Sequence, residues 1–300
     1  MRPRRRLQAL GGIGASTLNI RPESFATRTL SRHPRGEAIR RILAAAIRSV
    51  EPGTAVRQFV RRENNSLFIN GQEYSLDKIG QVRVLGLGKA CPAMTLPLAD
   101  LLSDHATRGL LIPKQTPVHA PSGFDLQPGG HPVPDEDSLL AGQKALELTS
   151  GLGEDDLLIC LISGGGSALM TAPPPGISLA DLRELTSALL ACGARVDEIN
   201  TLRRHLDRLK GGGLARFASP AKVVSLILSD VVDNPLEAIA SGPTAPDPST
   251  RADALGVLEK YDLLGEVPQA ILDSLKTAPE TPKPGNKLFE RVQNVIVGSN

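Results

Sequence analysis

Three glycines bracketed by serines, Ser163-Gly164-Gly165-Gly166-Ser167, follow directly on the apolar run Leu157 to Ile162. Successive glycine N–H groups can converge on an anion with no side chain in the way, and serine hydroxyls add donors. Such a loop can cradle phosphate; a flexible turn is the competing reading. Two known designs are excluded. No Gly-Lys-Ser/Thr follows, as a P-loop requires, and Leu169 stands where the dinucleotide fingerprint has its third Gly or Ala.

Other chemistry-bearing residues sit in comparable places. Lys89 lies in Gly86-Leu87-Gly88-Lys89-Ala90, after the apolar run Val82 to Leu85. Asp230 and Asp233 follow the run Lys222 to Leu228. Carboxylates at the C-terminal end of a strand can hold Mg2+, which uses one or two of them together with substrate phosphates and water. Ordinary turn aspartates have the same spacing. In a helix that Gly211, Gly212 and Gly213 terminate, Ile199, Leu202, Leu206 and Leu209 form an apolar arc and Asn200, Arg203, Asp207 and Lys210 a polar stripe along its edge. Polar stripes are commonly solvated faces. Here Lys210 abuts Gly211, Gly212 and Gly213, which let another backbone or a ligand come close.

The elements that must position these residues alternate along the chain. A helix is predicted over 37–50 from Ala38, Ile42, Ala45 and Ala46, then a hairpin with Asn70-Gly71 at its turn, where a type I′ turn needs positive φ. Strands are predicted over 82–85, 109–112, 157–162, 222–228 and 292–297. Between them Pro92 can open a helix that Pro97 should kink or shorten, a second helix runs to about Ser150, and Ser178 caps a third that ends before Gly193. Pro173, Pro174 and Pro175 leave room for about one helical turn after the glycine loop. Strand and helix alternation of this kind specifies an α/β fold, a Rossmann-like parallel sheet with helices on both faces. In such sheets ligands bind beyond the C-terminal ends of the strands, where all three groups of residues fall.

The formal net charge of +2 conceals an asymmetry. Residues 1–35 carry eight arginines against one acid, Glu23, a net of +7, which leaves the other 265 residues at −5. The leader has the Arg- and Ser/Thr-rich composition of a mitochondrial presequence; a plain basic tail is the alternative. The domain reading is therefore a leader over 1–35 and one domain over 36–300. A mildly acidic body argues against a nucleic-acid surface, and no run of about 18 apolar residues spans a membrane. Cys91, Cys160 and Cys192 are an odd number and read as reduced packing cysteines.

Taken together, Gly86-Leu-Gly-Lys-Ala90, Gly129-Gly-His-Pro-Val-Pro-Asp135, Ile162-Ser-Gly-Gly-Gly-Ser-Ala-Leu169, Glu198 to Leu206, Leu209 to Gly213, Leu228 to Val232 and Ile239-Ala-Ser-Gly-Pro-Thr244 resemble the type II glycerate kinases. The resemblance runs from about residue 37 to the end. It implies transfer of a phosphoryl group from ATP, with Mg2+, to the 2-hydroxyl of D-glycerate. By motif it implies that Lys89, Lys210 and Asp230 are catalytic, that Ser163, Gly164, Gly165, Gly166, Ser167, Asn200 and Arg203 bind the nucleotide, and that Asp230 and Asp233 serve the metal. A homo-oligomer remains open. Bacterial relatives labelled hydroxypyruvate reductases make an NAD-dependent reductase the competing class, which the incomplete fingerprint disfavours.

There are two departures. The family has Gly-Asp where this chain has Asp233-Asn234, so the second acidic position is displaced or replaced by an amide. The family also continues into a Leu-rich MOFRL domain that closes the cleft and contributes catalytic residues, and these 300 residues contain none of it. A fragment that binds nucleotide without turnover is the corresponding alternative. The strand at 292–297 is then expected to be bare, exposing apolar surface.

Overall fold

The computed structural model describes residues 20–105, 107–117 and 120–299. The chain divides into two compact units, one ending at Glu51 and one beginning at Pro52. The first holds a 3-10 turn at Pro22–Phe25 and helices α1 (Arg28–Arg32) and α2 (Gly36–Ser49). The predicted boundary at residue 36 thus falls inside this unit. Gly36 explains why: its N–H donates to the His33 carbonyl at 2.8 Å, and any Cβ there would lie 1.7 Å from the Leu30 oxygen, so α2 starts directly against α1. Residues 1–19, the larger part of the predicted presequence, lie outside the described residues.

The second unit opens with α3 (Pro52–Phe59) and a three-stranded antiparallel sheet, β1 (Val60–Glu63), β2 (Ser66–Ile69) and β3 (Gln72–Ser75). Asn70 and Gly71 take φ of 48° and 82°, the left-handed pair that the Asn-Gly signal predicts. The strand β1 was not predicted, because Arg61-Arg62-Glu63 has no apolar alternation to announce it.

The rest builds the parallel sheet. In order come β4 (Val82–Leu87), α4 (Cys91–Leu101), β5 (Thr107–Ile112), β6 (Phe124–Leu126), α5 (Glu136–Thr149), β7 (Leu157–Ser163), the single turn α6 (Gly166–Leu169), α7 (Leu179–Ala191), α8 (Val196–His205), α9 (Gly213–Ala218), β8 (Lys222–Leu228), α10 (Arg251–Lys260), α11 (Gln269–Thr277) and β9 (Val292–Gly298). The strand order is β6-β5-β4-β7-β8-β9, and every pairing is parallel.

All seven residues of β7 are buried, as expected for a central strand covered on both sides. Leu158, Cys160 and Ile162 pack toward Ala141 and Ala145 of α5 and Leu214 of α9, whereas Leu157, Ile159 and Leu161 join Val56 of α3 and Met94 and Leu98 of α4. Helices therefore cover both faces, as the alternation requires. A separate apolar cluster unites α7, α8, α10 and α11 through residues such as Leu189, Leu202, Leu258 and Ile271.

Three expectations need correction. The helix α4 contains Pro97, as expected, and is not shortened by it, running on to Leu101. The strand β9 is not bare: Val295 and Val297 are buried in the same cluster as Ala55 and Val56, so α3, from early in the chain, covers it. The helix α8 ends at His205, so Asp207 and Lys210 are not on its polar stripe; Asp207 instead accepts the Leu209 N–H at 2.9 Å in the turn that follows.

Burial of Cys91 and Cys160 pushes both thiols up to about 12, where the reactive thiolate is scarce at neutral pH. Alkylation of the native protein at pH 8, followed by mass spectrometry, is expected to modify Cys192 alone, with all three thiols reacting only after denaturation. Rapid labelling of Cys160 in the native state would contradict the central placement of β7.

Candidate functional site

The order in which strands are added reverses between the parallel neighbours β4 and β7. From β4 the connections run outward through β5 to β6, and from β7 they run the other way through β8 to β9. Open α/β sheets bind ligands in the crevice at such a switch point, because the loops leaving the two strands part there. The loops at this crevice are Gly88-Lys89-Ala90 and Ser163 to Ser167.

The two loops are bonded to each other. The Lys89 N–H donates to the Gly164 carbonyl at 3.1 Å and the Ala90 N–H to Ser163 Oγ at 3.0 Å. Gly88 makes this approach possible: its φ is +111°, and a Cβ would lie 2.3 Å from the Ser163 oxygen. Ser163 is 2% exposed. Its hydroxyl therefore joins the loops and is not presented as a donor to the crevice. Gly165, with φ of +92°, turns the chain, and the N–H groups of Gly165, Gly166 and Ser167 donate to no acceptor among the described residues. The first N–H groups of any helix lack an intrahelical partner, and Gly165 and Ser167 are only half-buried, so this row is free to meet water or an anion.

Side chains gather around this turn. Lys89 is exposed, and its Cε lies 3.3 Å from the point a Gly165 Cβ would occupy; His131 Cδ2 lies 3.2 Å from the same point. Asp230, just past β8, packs on the loop so closely that a Gly164 Cβ would sit 2.3 Å from its Oδ2. Asp233 is exposed in a left-handed turn, φ 61°, beside Asn234 at φ 52°. Among the described residues no three of His, Cys, Asp and Glu form a metal cage.

Ser167 leads into a polar chain. Its hydroxyl is 2.9 Å from Ser241 Oγ, Ser241 donates to Asn200 Oδ1 at 3.2 Å, and Arg203 Nη1 lies 3.5 Å from the same Asn200 oxygen. Ser241 belongs to a run of left-handed residues, Ala240, Ser241 and Gly242, with φ of 52°, 59° and 60°. Such a conformation costs a non-glycine residue about 1–2 kcal/mol. It is held by the Gly211 N–H to the Ser241 carbonyl at 2.9 Å and the Gly212 N–H to the Gly242 carbonyl at 2.7 Å. The predicted glycine triplet thus braces a site loop from behind.

Ser167, Arg203, Asp207 and Lys210, with Leu182 and Leu185 of α7, line a small cleft. Arg203 is half-buried, burial pulls its pKa down, and it has no ion-pair partner among the described residues. Arg204 pairs instead with Asp247 at 2.7 Å, and His205 Nε2 lies 3.4 Å from the same carboxylate. Lys210 is 4% exposed and committed: its ammonium donates to the Met170 carbonyl at 3.0 Å and pairs with Asp207. Asp207 also accepts from Thr171 Oγ1 at 2.7 Å and the Ala172 N–H at 3.1 Å. Burial pulls the Lys210 pKa down against the opposing charge of Asp207.

The fold therefore brings together Lys89, Gly164, Gly165, Gly166, Ser167 and Asp230 at the crevice and links Asn200 and Arg203 to them through Ser241. It brings in three residues that sequence reasoning did not assign. His131 stood in the quoted Gly-Gly-His-Pro segment and Ser241 in Ala-Ser-Gly-Pro, so a motif signal existed for both; Asp207 stood only in the polar stripe.

Residues 38–276 match a family described as a domain of unknown function, DUF4147. The chain belongs to the DUF4147 family. The match includes every residue of the crevice. Similar proteins include the glycerate kinase of Danio rerio, 36% identical over an alignment of 280 positions, covering 87% of this chain and 55% of that one. The D-glycerate 2-kinase of Thermotoga maritima is 39% identical over 245 residues, 81% of this chain and 54% of that one. A crystal structure of a Pyrococcus horikoshii protein superposes with a TM-score of 0.79 at 36% identity, covering 87% of this chain and 59% of that chain. The chain thus spans about half the length of the curated relatives it matches.

The Asp207–Lys210 pair generates a stability prediction. Lys210→Met leaves the Asp207 carboxylate buried without its counter-ion, and breaking such a pair costs about 3–5 kcal/mol. A large fall in Tm is expected for Lys210→Met, with partial recovery in Asp207→Asn/Lys210→Met. Equal Tm for wild type and the single variant would show that the pair does not hold this turn.

Proposed function

We propose that this chain acts as a glycerate 2-kinase, transferring the terminal phosphoryl group of ATP to the 2-hydroxyl of D-glycerate, with nucleotide binding without turnover as the second reading. The observation that carries the reading is the unpaired N–H row of Gly165, Gly166 and Ser167 beside Lys89 at the switch point, in a family whose similar members bear glycerate kinase names. Phosphoryl transfer is mostly positioning and neutralisation of charge, which suits backbone donors and an exposed lysine.

In this reading the three N–H groups hold phosphate oxygens, and Lys89 sets its charge over the group in transfer. Arg203, fixed by Asn200, adds a second cation from the cleft side, and Ser167 aligns the loop with it. Asp230 suits Mg2+ as a single carboxylate ligand completed by phosphates and water, since its oxygen already lies against the loop; Asp233 is the candidate second ligand. Bound Mg2+ would neutralise charge on the phosphates. Lys210 contributes through Asp207 by holding the 207–212 turn, and Ser163 by joining the two loops.

The decisive assay gives the purified chain ATP, Mg2+ and D-glycerate and follows 2-phosphoglycerate. Product is expected, and Lys89→Met should lower kcat about 10²- to 10³-fold with Tm unchanged, because Lys89 is exposed. Nucleotide binding with no product would reduce the reading to the binding half alone, and NADH oxidation with hydroxypyruvate would replace it by the reductase. The basic composition of residues 1–35 supports a mitochondrial address. Fusing that segment to a fluorescent reporter should carry it to mitochondria, and a diffuse signal would refute the address.

A further inference from the structure

His131 has no role in the reading above, yet its placement is more constrained than that of Lys89. The loop that carries it is fixed on both sides. The Gly130 N–H donates to Asp135 Oδ1 at 3.0 Å and to Ser138 Oγ at 2.9 Å, which ties it to the cap of α5. Gly129 packs so tightly on α6 that a Cβ would lie 2.0 Å from the Leu169 oxygen. The ring is therefore delivered to Gly165 by a braced backbone, with Cδ2 and Nε2 at 3.2 and 3.4 Å from the point a Gly165 Cβ would occupy.

The two ring nitrogens differ. Nδ1 is buried and has no hydrogen-bond partner among the described residues, whereas Nε2 lies on the edge that meets the glycine turn. Burial, with the charges of Lys89 and Lys114, lowers the pKa of His131 and keeps the ring neutral at physiological pH. A neutral imidazole has one N–H and one bare lone pair. Burying an N–H without an acceptor forfeits a hydrogen bond, and orphaned donors are rarer than under-used acceptors. The tautomer with the proton on Nε2, toward the turn, leaves no buried donor orphaned.

We propose that His131 donates a neutral hydrogen bond, through Nε2–H, to the terminal phosphoryl group held at Gly165. This rests on the reading of that turn as a phosphate cradle. A neutral donor suits a site where Lys89 already supplies the positive charge: it strengthens as negative charge accumulates on the transferring group and does not repel the lysine.

The test compares binding of AMP-PNP and ADP, each with Mg2+, to the full chain by calorimetry. Because the contact is with the terminal group, the ratio of the two affinities is the readout. His131→Phe keeps the ring without a donor and should lower that ratio about 10- to 100-fold, the range of one hydrogen bond to a charged group. His131→Gln places an amide N–H near the position of Nε2 and should stay close to wild type. His131→Asn, which reaches only as far as Nδ1, should behave like the Phe variant. Equal weakening of both nucleotides would show a structural role, and rescue by Asn but not by Gln would assign the contact to Nδ1; either overturns the proposal. An unchanged ratio in the Phe variant overturns it while leaving the cradle intact. Failure of the wild type to bind either nucleotide overturns the cradle as well.

Discussion

The junction between two loops, made by the Lys89 N–H on the Gly164 carbonyl and the Ala90 N–H on Ser163 Oγ, is what the rest of the site depends on. It closes the β4 and β7 ends onto each other at the place where the order of strand addition reverses. Its requirement is steric: the Ser163 oxygen occupies the space of a Gly88 side chain, so position 88 has no other occupant. Once this contact forms, the carbonyls and the serine hydroxyl face inward and are satisfied. The N–H groups of Gly165, Gly166 and Ser167 are left without an acceptor among the described residues. The unpaired N–H row is thus a by-product of the way the two strands are tied.

The surrounding groups divide into those that hold this arrangement and those left available to a ligand. Lys210 and Asp207 satisfy each other and the backbone at Met170 and Ala172, fixing the turn that leads to Gly211 and Gly212. Those glycines brace the left-handed run at Ala240 to Gly242, which brings Ser241 to Ser167 and Asn200. Lys89 and Arg203 are the cations outside this framework, one exposed and one half-buried. Strain at Ala240 and Ser241 is tolerated because hydrogen bonds on both sides determine their geometry.

Much of the fold was legible in the sequence because its signals are local. The apolar runs at 157–162 and 222–228 read as buried strands, Asn70-Gly71 as a hairpin, and Asp135 and Ser178 mark the starts of α5 and α7. The failures were also local in origin. Residues 206–210 continue a helical apolar spacing, so the sequence could not show that a carboxylate would end the helix by bonding the Leu209 N–H and a distant Thr171. The strand β9 lacked a covering helix only when sought downstream in the chain, whereas α3 covers it from upstream.

By itself the sequence determined the residue types and the elements that bear them: glycines where the backbone must turn left-handed or approach closely, and lysines, an arginine and an aspartate at the ends of strands and helices. The tertiary structure decided which of these are spent and which remain. Ser163 and Lys210 carry the same functional groups as Ser167 and Lys89, yet burial and partners from elsewhere in the chain commit the first pair to the framework. Strand order likewise brought His131, some thirty residues before the glycine loop, against Gly165. Which polar group is satisfied depends on contacts between distant segments, and residue type and local spacing do not encode those contacts.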